Sequence, residues 1–162
     1  MELRLYQKDA VEAVYRHLRE KDNNPVVVIP TGGGKTPVLA TIIHDAIDRW
    51  NGRVLLLTPV KELLLQAEEK LRMIAGDIDL GVYSAGLNRK EPGHKCVLAG
   101  IQSAYRMAGT LGKFDLVIVD EAHLIPPDGT GMYQTLLGDL KKINPILRVI
   151  GLTATPYRTT TG

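Results

Sequence analysis

Between a short β-branched run, Val26 to Ile29, and an apolar-periodic stretch that begins at Val38 lie Pro30, Thr31, Gly32, Gly33, Gly34, Lys35 and Thr36. Three successive glycines reach backbone angles closed to other residues, so the chain can curl tightly there with its N–H groups turned inward. A strand that runs into such a loop and out into a helix makes an anion cradle, because loop amides and the helix N-terminus converge on the same oxygens. Lys35 supplies a point charge for β and γ phosphates, and Thr36 a hydroxyl for Mg²⁺. The spacing departs from the strict G-x-x-x-x-G-K-[ST] form, whose first glycine would fall at Ile29. Pro37 fits the first helical turn but has no N–H to offer an α-phosphate oxygen.

The rest of the chain repeats the strand-then-helix pattern. Ala10, Val11, Val14, Tyr15 and Leu18 predict a helix over 6–20, closed by Asn23, Asn24 and Pro25, and Val38, Leu39, Ile42, Ile43, Ala46, Ile47 and Trp50 predict a long second one. Strands are predicted at 53–58, 80–83, 96–99, 115–120 and 147–152, and helices at 61–75 and 133–143. The strand runs are nearly all apolar, as strands buried on both faces are. Alternation of this kind means a mostly parallel sheet with helices on both faces, an α/β fold. A length of 162 residues, 44% hydrophobic and 23% charged, suits one domain. The Gly- and Pro-rich stretches 86–93, 109–112 and 126–131 are read as loops between elements.

The strand Leu116 to Val119 ends in Asp120, Glu121, Ala122 and His123. Two acids at the carboxyl end of a buried strand lie at the edge where ligands bind in open α/β sheets. Beside a phosphate loop, Asp120 would hold Mg²⁺ and Glu121 would orient and deprotonate the water that attacks a γ-phosphate. Alone, such a pair is often a helix cap. His123 in isolation reads more often as a structural hydrogen-bonder than as a catalyst or ligand, and with no second ligand at metal spacing it marks no zinc site. Single Cys96, in an apolar run, predicts a reducing compartment and hence the cytoplasm. No stretch is long and apolar enough to span a bilayer, so no membrane association is expected. The net charge of +2 permits a nucleic-acid partner without demanding one.

Taken in order, these segments resemble the first RecA-like lobe of superfamily 2 helicases and translocases, across essentially the whole chain. Leu3 to Gln7 look like an adenine-recognition Q motif, in which Arg4 and Gln7 meet the base; without it Gln7 is a plain helix-start residue. Thr31 to Thr36 look like motif I, Leu56 to Val60 like motif Ia, Gly100 to Ser103 like motif Ib, Asp120 to His123 like a DEAH-type motif II, and Thr153 to Pro156 like motif III. The resemblance implies a RecA-like P-loop NTPase fold with ATP and Mg²⁺ as cofactors and Lys35, Asp120 and Glu121 as the catalytic set. It further implies that Thr153 and Thr155 couple to His123, and that the motif III strand lies between the phosphate-loop strand and the Asp120 strand. A narrower likeness to RadD-type DNA-repair ATPases is carried by Ala85 to Glu91 and by Asn144 to Arg158.

The family places nucleic acid along Thr58, Pro59, Lys61, Gly86, Arg89, Gln102 and Ser103, through backbone contacts that position a strand without reading its sequence. An aromatic content of 5% argues against a base-stacking platform. The expected function is therefore the ATP-binding lobe of a DNA helicase or translocase, residues 1–162 forming that lobe. Its partners would be DNA and a second RecA-like lobe that this chain does not contain, and the isolated lobe should hydrolyse ATP weakly. An RNA helicase lobe, or a nucleotide-dependent interaction or restriction-type subunit, remains the alternative.

Overall fold

A computed structural model describes residues 3–21, 25–30, 35–121, 128 and 130–155. The chain runs α1 (Leu5–Glu20), β1 (Val26–Pro30), α2 (Lys35–Asp48), β2 (Val54–Thr58), α3 (Lys61–Ile74), β3 (Leu80–Ser84), β4 (Arg89–Lys90), β5 (Cys96–Gly100), α4 (Ile101–Ala104), α5 (Ala108–Leu111), β6 (Leu116–Asp120), α6 (Thr130–Ile143) and β7 (Arg148–Thr155). The strands form one sheet in the order β1-β7-β6-β2-β5-β3-β4. All neighbours pair in parallel except β3 and β4. The motif III strand β7 thus lies between β1 and β6, as the resemblance implies.

Side-chain alternation sorts the core into two layers. Val54, Leu56, Leu98, Ile118 and Ile150 point to the face covered by α1, α2 and α3, whose Val14, Leu39, Ile43, Leu64 and Leu71 are buried against them. Leu55, Leu57, Val97 and Val117 point the other way, onto Phe114, Leu136 and Leu140 beneath α5 and α6. With both faces covered, the interiors of β2, β5 and β6 are apolar at every position, which is why these strands read as uninterrupted runs. Burying one such leucine stabilises the fold by about 1.5–3 kcal/mol.

Three differences from the sequence-based expectation have local causes. Helix α2 begins at Lys35, a turn before Val38, its first buried residue, since apolar periodicity marks only the buried part of a helix. The 86–93 stretch contains β4, a two-residue antiparallel return along β3, and the 109–112 stretch lies largely in α5. Gly81 explains how the return fits: a Cβ there would collide with the Glu91 carbonyl oxygen and the His94 ring. Gly81→Ala is expected to unseat the 91–94 segment and cost about 2 kcal/mol in chemical denaturation, a loss that Gly93→Ala, with open space around it, would not share.

Candidate functional site

At the carboxyl edge of the sheet, β6 delivers Asp120 as its last residue and Glu121 just beyond. Asp120 is 4% exposed, and the Lys35 ammonium at the start of α2 donates to its Oδ1 at 2.6 Å and to Glu121 Oε2 at 2.6 Å. Burial pushes the Asp120 carboxyl above the ordinary range, and the adjacent Lys35 opposes that rise without cancelling it. Glu121 holds a left-handed backbone, φ 51°, and its N–H donates to Asp120 Oδ1 at 2.9 Å. A non-glycine residue in that region carries strain, which persists where a side chain must be aimed. The strand end thus fixes both carboxylates around one cation.

Lys35, Thr36, Asp120 and Glu121 share a cavity of about 60 Å³, room for a few waters. Two carboxylates drawn onto an ammonium form a site that already attracts positive charge, and a hydroxyl beside them completes an oxygen donor set. Those groups fit Mg²⁺, which takes few protein ligands and keeps waters and phosphate oxygens for the rest. Among the described residues no cluster of three or more His, Cys, Asp or Glu forms an all-protein metal cage. Thr31, Gly32, Gly33, Gly34 and His123 lie outside the described residues, as does the Thr155 side chain. Thr153 sits half-buried on β7 beside Val28 of β1.

Arg4 and Gln7 are occupied in building the start of α1. Gln7 is buried, and its side-chain oxygen accepts the Arg4 backbone N–H at 2.7 Å, a capping interaction that satisfies an otherwise orphaned end group. The amide oxygen expected to face adenine is therefore engaged within the helix cap.

Further along the same edge, Pro59, Lys61, Gly86, Gln102 and Ser103 line a second cavity of about 240 Å³, with Ser84 and Ile101 at its floor. Three segments distant in sequence, the ends of β2, β3 and β5, converge there because β2, β5 and β3 are neighbours in the sheet. Two residues expected beside them differ. Thr58 is fully buried and its hydroxyl donates to the Val60 carbonyl at 3.3 Å, so it braces the turn. Arg89 is bound at 2.7 and 2.9 Å by Glu68 of α3 and at 3.1 Å by Glu91, and these carboxylates hold its guanidinium well above its usual pKa. It ties β4 to α3, its donors engaged by carboxylates; Glu68, held low by the same bonds, is the partner that the sequence reading lacked.

The family described as type III restriction enzyme, res subunit, matches residues 1–158. The chain belongs to that family. It is 33% identical over 159 residues to the DNA 3'-5' translocase XPB2 of Sulfurisphaera tokodaii, covering 98% of this chain and 32% of that protein. The Hef helicase domain of Pyrococcus furiosus superposes with a TM-score of 0.71 at 28% identity, over 98% of this chain and 34% of that one. The UvsW helicase of bacteriophage T4, at 18% identity and a TM-score of 0.72 over 94% of this chain and 52% of that one, shares the fold. This res-subunit relative is thus a superfamily 2 RecA-like lobe, and it spans about a third of the XPB2 length.

Sequence reading missed part of the first cavity of this res-subunit lobe. Leu63, Gln66, Ala67 and Lys70 of α3 form its outer wall. Their i, i+3, i+4, i+7 spacing marks one helix face, but only tertiary packing tells which face meets the acid pair. Tyr133, the start of the predicted helix, lies within α6; its phenol is buried, and burial together with the Asp120 charge pushes its pKa up to about 12.

Proposed function

We propose that this chain is the ATP-binding lobe of an ATP-dependent DNA helicase or translocase, and that residues 1–162 act with a second RecA-like lobe supplied by a longer protein. The observation that carries the reading is the Lys35 ammonium held between Asp120 and Glu121 at the sheet edge, directly beneath the first turn of α2. Membership of a family with helicase and translocase relatives supports it.

In this reading Lys35 leaves the carboxylates and turns to the β and γ phosphates, while Thr36 and Asp120 hold Mg²⁺. The ion, when bound, neutralises charge on the phosphate oxygens. Glu121, with its strained backbone aiming the carboxylate, takes the proton from the attacking water. Arg4 and Gln7 border the base, and Thr153, Thr155 and His123 relay the state of the site along β7. Gln102, Ser103, Pro59 and Lys61 hold the backbone of a DNA strand across the second cavity. DNA repair, the RadD-type likeness and a cytoplasmic address belong to the same reading; among the described residues no helix is long and apolar enough to cross a membrane.

Equilibrium titration with a fluorescent ATP analogue tests the core of it. Wild type binds, Glu121→Gln binds comparably, and Lys35→Ala weakens binding by at least roughly tenfold, the loss of a charge-assisted contact. If Lys35→Ala bound as wild type does, the nucleotide reading would be wrong. Pro37→Ala restores a backbone N–H in the cradle and is expected to tighten binding by about tenfold; unchanged affinity would show that the position faces no phosphate.

DNA binding separates the second cavity from its surroundings. Lys61→Ala is expected to weaken binding to every sequence by a few-fold and to lower the salt dependence by about one phosphate contact. Arg89→Ala should leave affinity unchanged and lower the melting temperature by about 2–4 °C, since it breaks an ion-pair network and no ligand contact. Competition between single-stranded RNA and duplex DNA decides between the two polymers.

A further inference from the structure

The α3 wall of the first cavity brings two polar groups that no part of the site described so far uses. Leu63 and Ala67 are partly buried there, whereas Gln66 and Lys70 are open to solvent. Neither the Gln66 amide nor the Lys70 ammonium has a hydrogen bond or ion pair among the described residues. Two other charges of the same helix, Glu68 and Arg72, are paired with each other, and Glu68 also binds Arg89. An unpaired surface lysine is ordinary; this one lines a small cavity opposite two carboxylates that share a single cation.

Charge balance gives Lys70 a task. While Lys35 lies between Asp120 and Glu121 it offsets one of the two negative charges, and once it turns to a phosphate it offsets neither. A Mg²⁺ ion held at Asp120 would offset the acid pair, but a triphosphate brings more negative charge than Lys35 alone can balance, and a second cation across the cavity relieves what remains at its far end. Among the described residues, Lys35 and Lys70 are the cations that line this cavity.

Topology says which end of a nucleotide meets them. The helices on this face pack in the order α1, α2, α3. Arg4 and Gln7 sit at the start of α1, Lys35 and Thr36 at the start of α2, and the cavity opens between α2 and α3. A nucleotide with its base at α1 and its first phosphates at α2 therefore presents its last phosphate to α3.

We propose that Lys70, with Gln66 beside it, contacts the terminal phosphate of a bound nucleoside triphosphate and makes the site favour triphosphate over diphosphate. This rests on the nucleotide reading above. The chemistry is a charge-assisted hydrogen bond from the ammonium, with the Gln66 amide donating to the same phosphate oxygens. Both side chains are exposed on a helix whose core contacts are made by Leu64 and Leu71, so their replacement leaves packing intact.

The test is equilibrium binding of a fluorescent non-hydrolysable ATP analogue and its ADP counterpart, with Mg²⁺ present, to wild type and variants. Lys70→Ala should lose roughly tenfold in triphosphate affinity and under about twofold for the diphosphate, with Lys70→Glu losing more. Lys70→Arg should keep most of the preference, and Gln66→Ala should lose a few-fold. An unchanged triphosphate-to-diphosphate ratio in Lys70→Ala and Lys70→Glu overturns the assignment. If wild type binds and Lys35→Ala does not, that failure is confined to Lys70; if wild type binds neither nucleotide, the nucleotide reading falls and this inference with it.

Discussion

The 162-residue chain alone is expected to bind ATP yet release phosphate slowly, on the order of 10³ to 10⁵ below a complete two-lobed motor and with little stimulation by DNA. The reason lies in which cations surround the acid pair. Phosphoryl transfer spreads negative charge over the equatorial oxygens of the moving group, and planar guanidinium groups stabilise it well because they donate in a rigid fork. The cavity beside Asp120 and Glu121 offers ammonium groups, and among the described residues no arginine lines it. Arg89 is held by Glu68 of α3 and by Glu91. Arg53 and Arg148 work at the opposite edge of the sheet. Steady-state phosphate release, measured with and without duplex DNA, checks this. Turnover above about 1 s⁻¹ that rises with DNA, from this chain by itself, would place the whole catalytic constellation within one lobe. The same assay with a separately expressed second lobe added in trans should recover stimulation if guanidinium groups from that lobe are what is lacking.

The path from sequence to site was clearest where local chemistry and tertiary context agree. Strands β2, β5 and β6 are uninterrupted apolar runs because both sheet faces are covered, so their composition announces their position. The acid pair is legible for the same reason: Asp120 ends such a run. Two of the shortest elements, β4 and α5, were not legible, since short pieces have weak periodicity and form where neighbours support them. Side-chain roles were read least well. Arg89 looks like a phosphate contact in a glycine-bearing loop until Glu68, two turns into α3, is brought beside it. Gln7 looks like a base reader, yet its oxygen is already spent on the helix cap. The left-handed backbone of Glu121 leaves no mark in the sequence, because only the fold decides which way the chain turns after β6.

Arg53 was passed over as the polar start of a strand, and its replacement by alanine is expected to be among the most damaging surface-adjacent changes in the molecule. The guanidinium lies 4.2 Å over the ring of buried Phe114. Its Nε donates to the His94 carbonyl at 2.9 Å, Nη1 to the Leu111 carbonyl at 2.6 Å, and Nη2 to the Pro92 carbonyl. The Arg53 backbone N–H is received by Asp115 Oδ2 at 2.8 Å. One fork therefore ties the segment before β5 to the α5–β6 connection, at the edge of the sheet opposite the acid pair. Partial burial lowers the guanidinium pKa, as desolvation of a cation must. Removing it strands several carbonyls and uncovers Phe114, for about 3 kcal/mol, or a fall in melting temperature of about 6–12 °C. Arg53→Lys keeps the charge and the stem but can satisfy fewer carbonyls, so it should recover less than half of the loss. Nucleotide affinity of the variant, measured well below its melting point, should stay within about twofold of wild type. A drop under about 2 °C would mean that solvent serves those carbonyls as well as the arginine does. A large drop accompanied by lost nucleotide binding would instead mean that the two edges of the sheet are not mechanically independent.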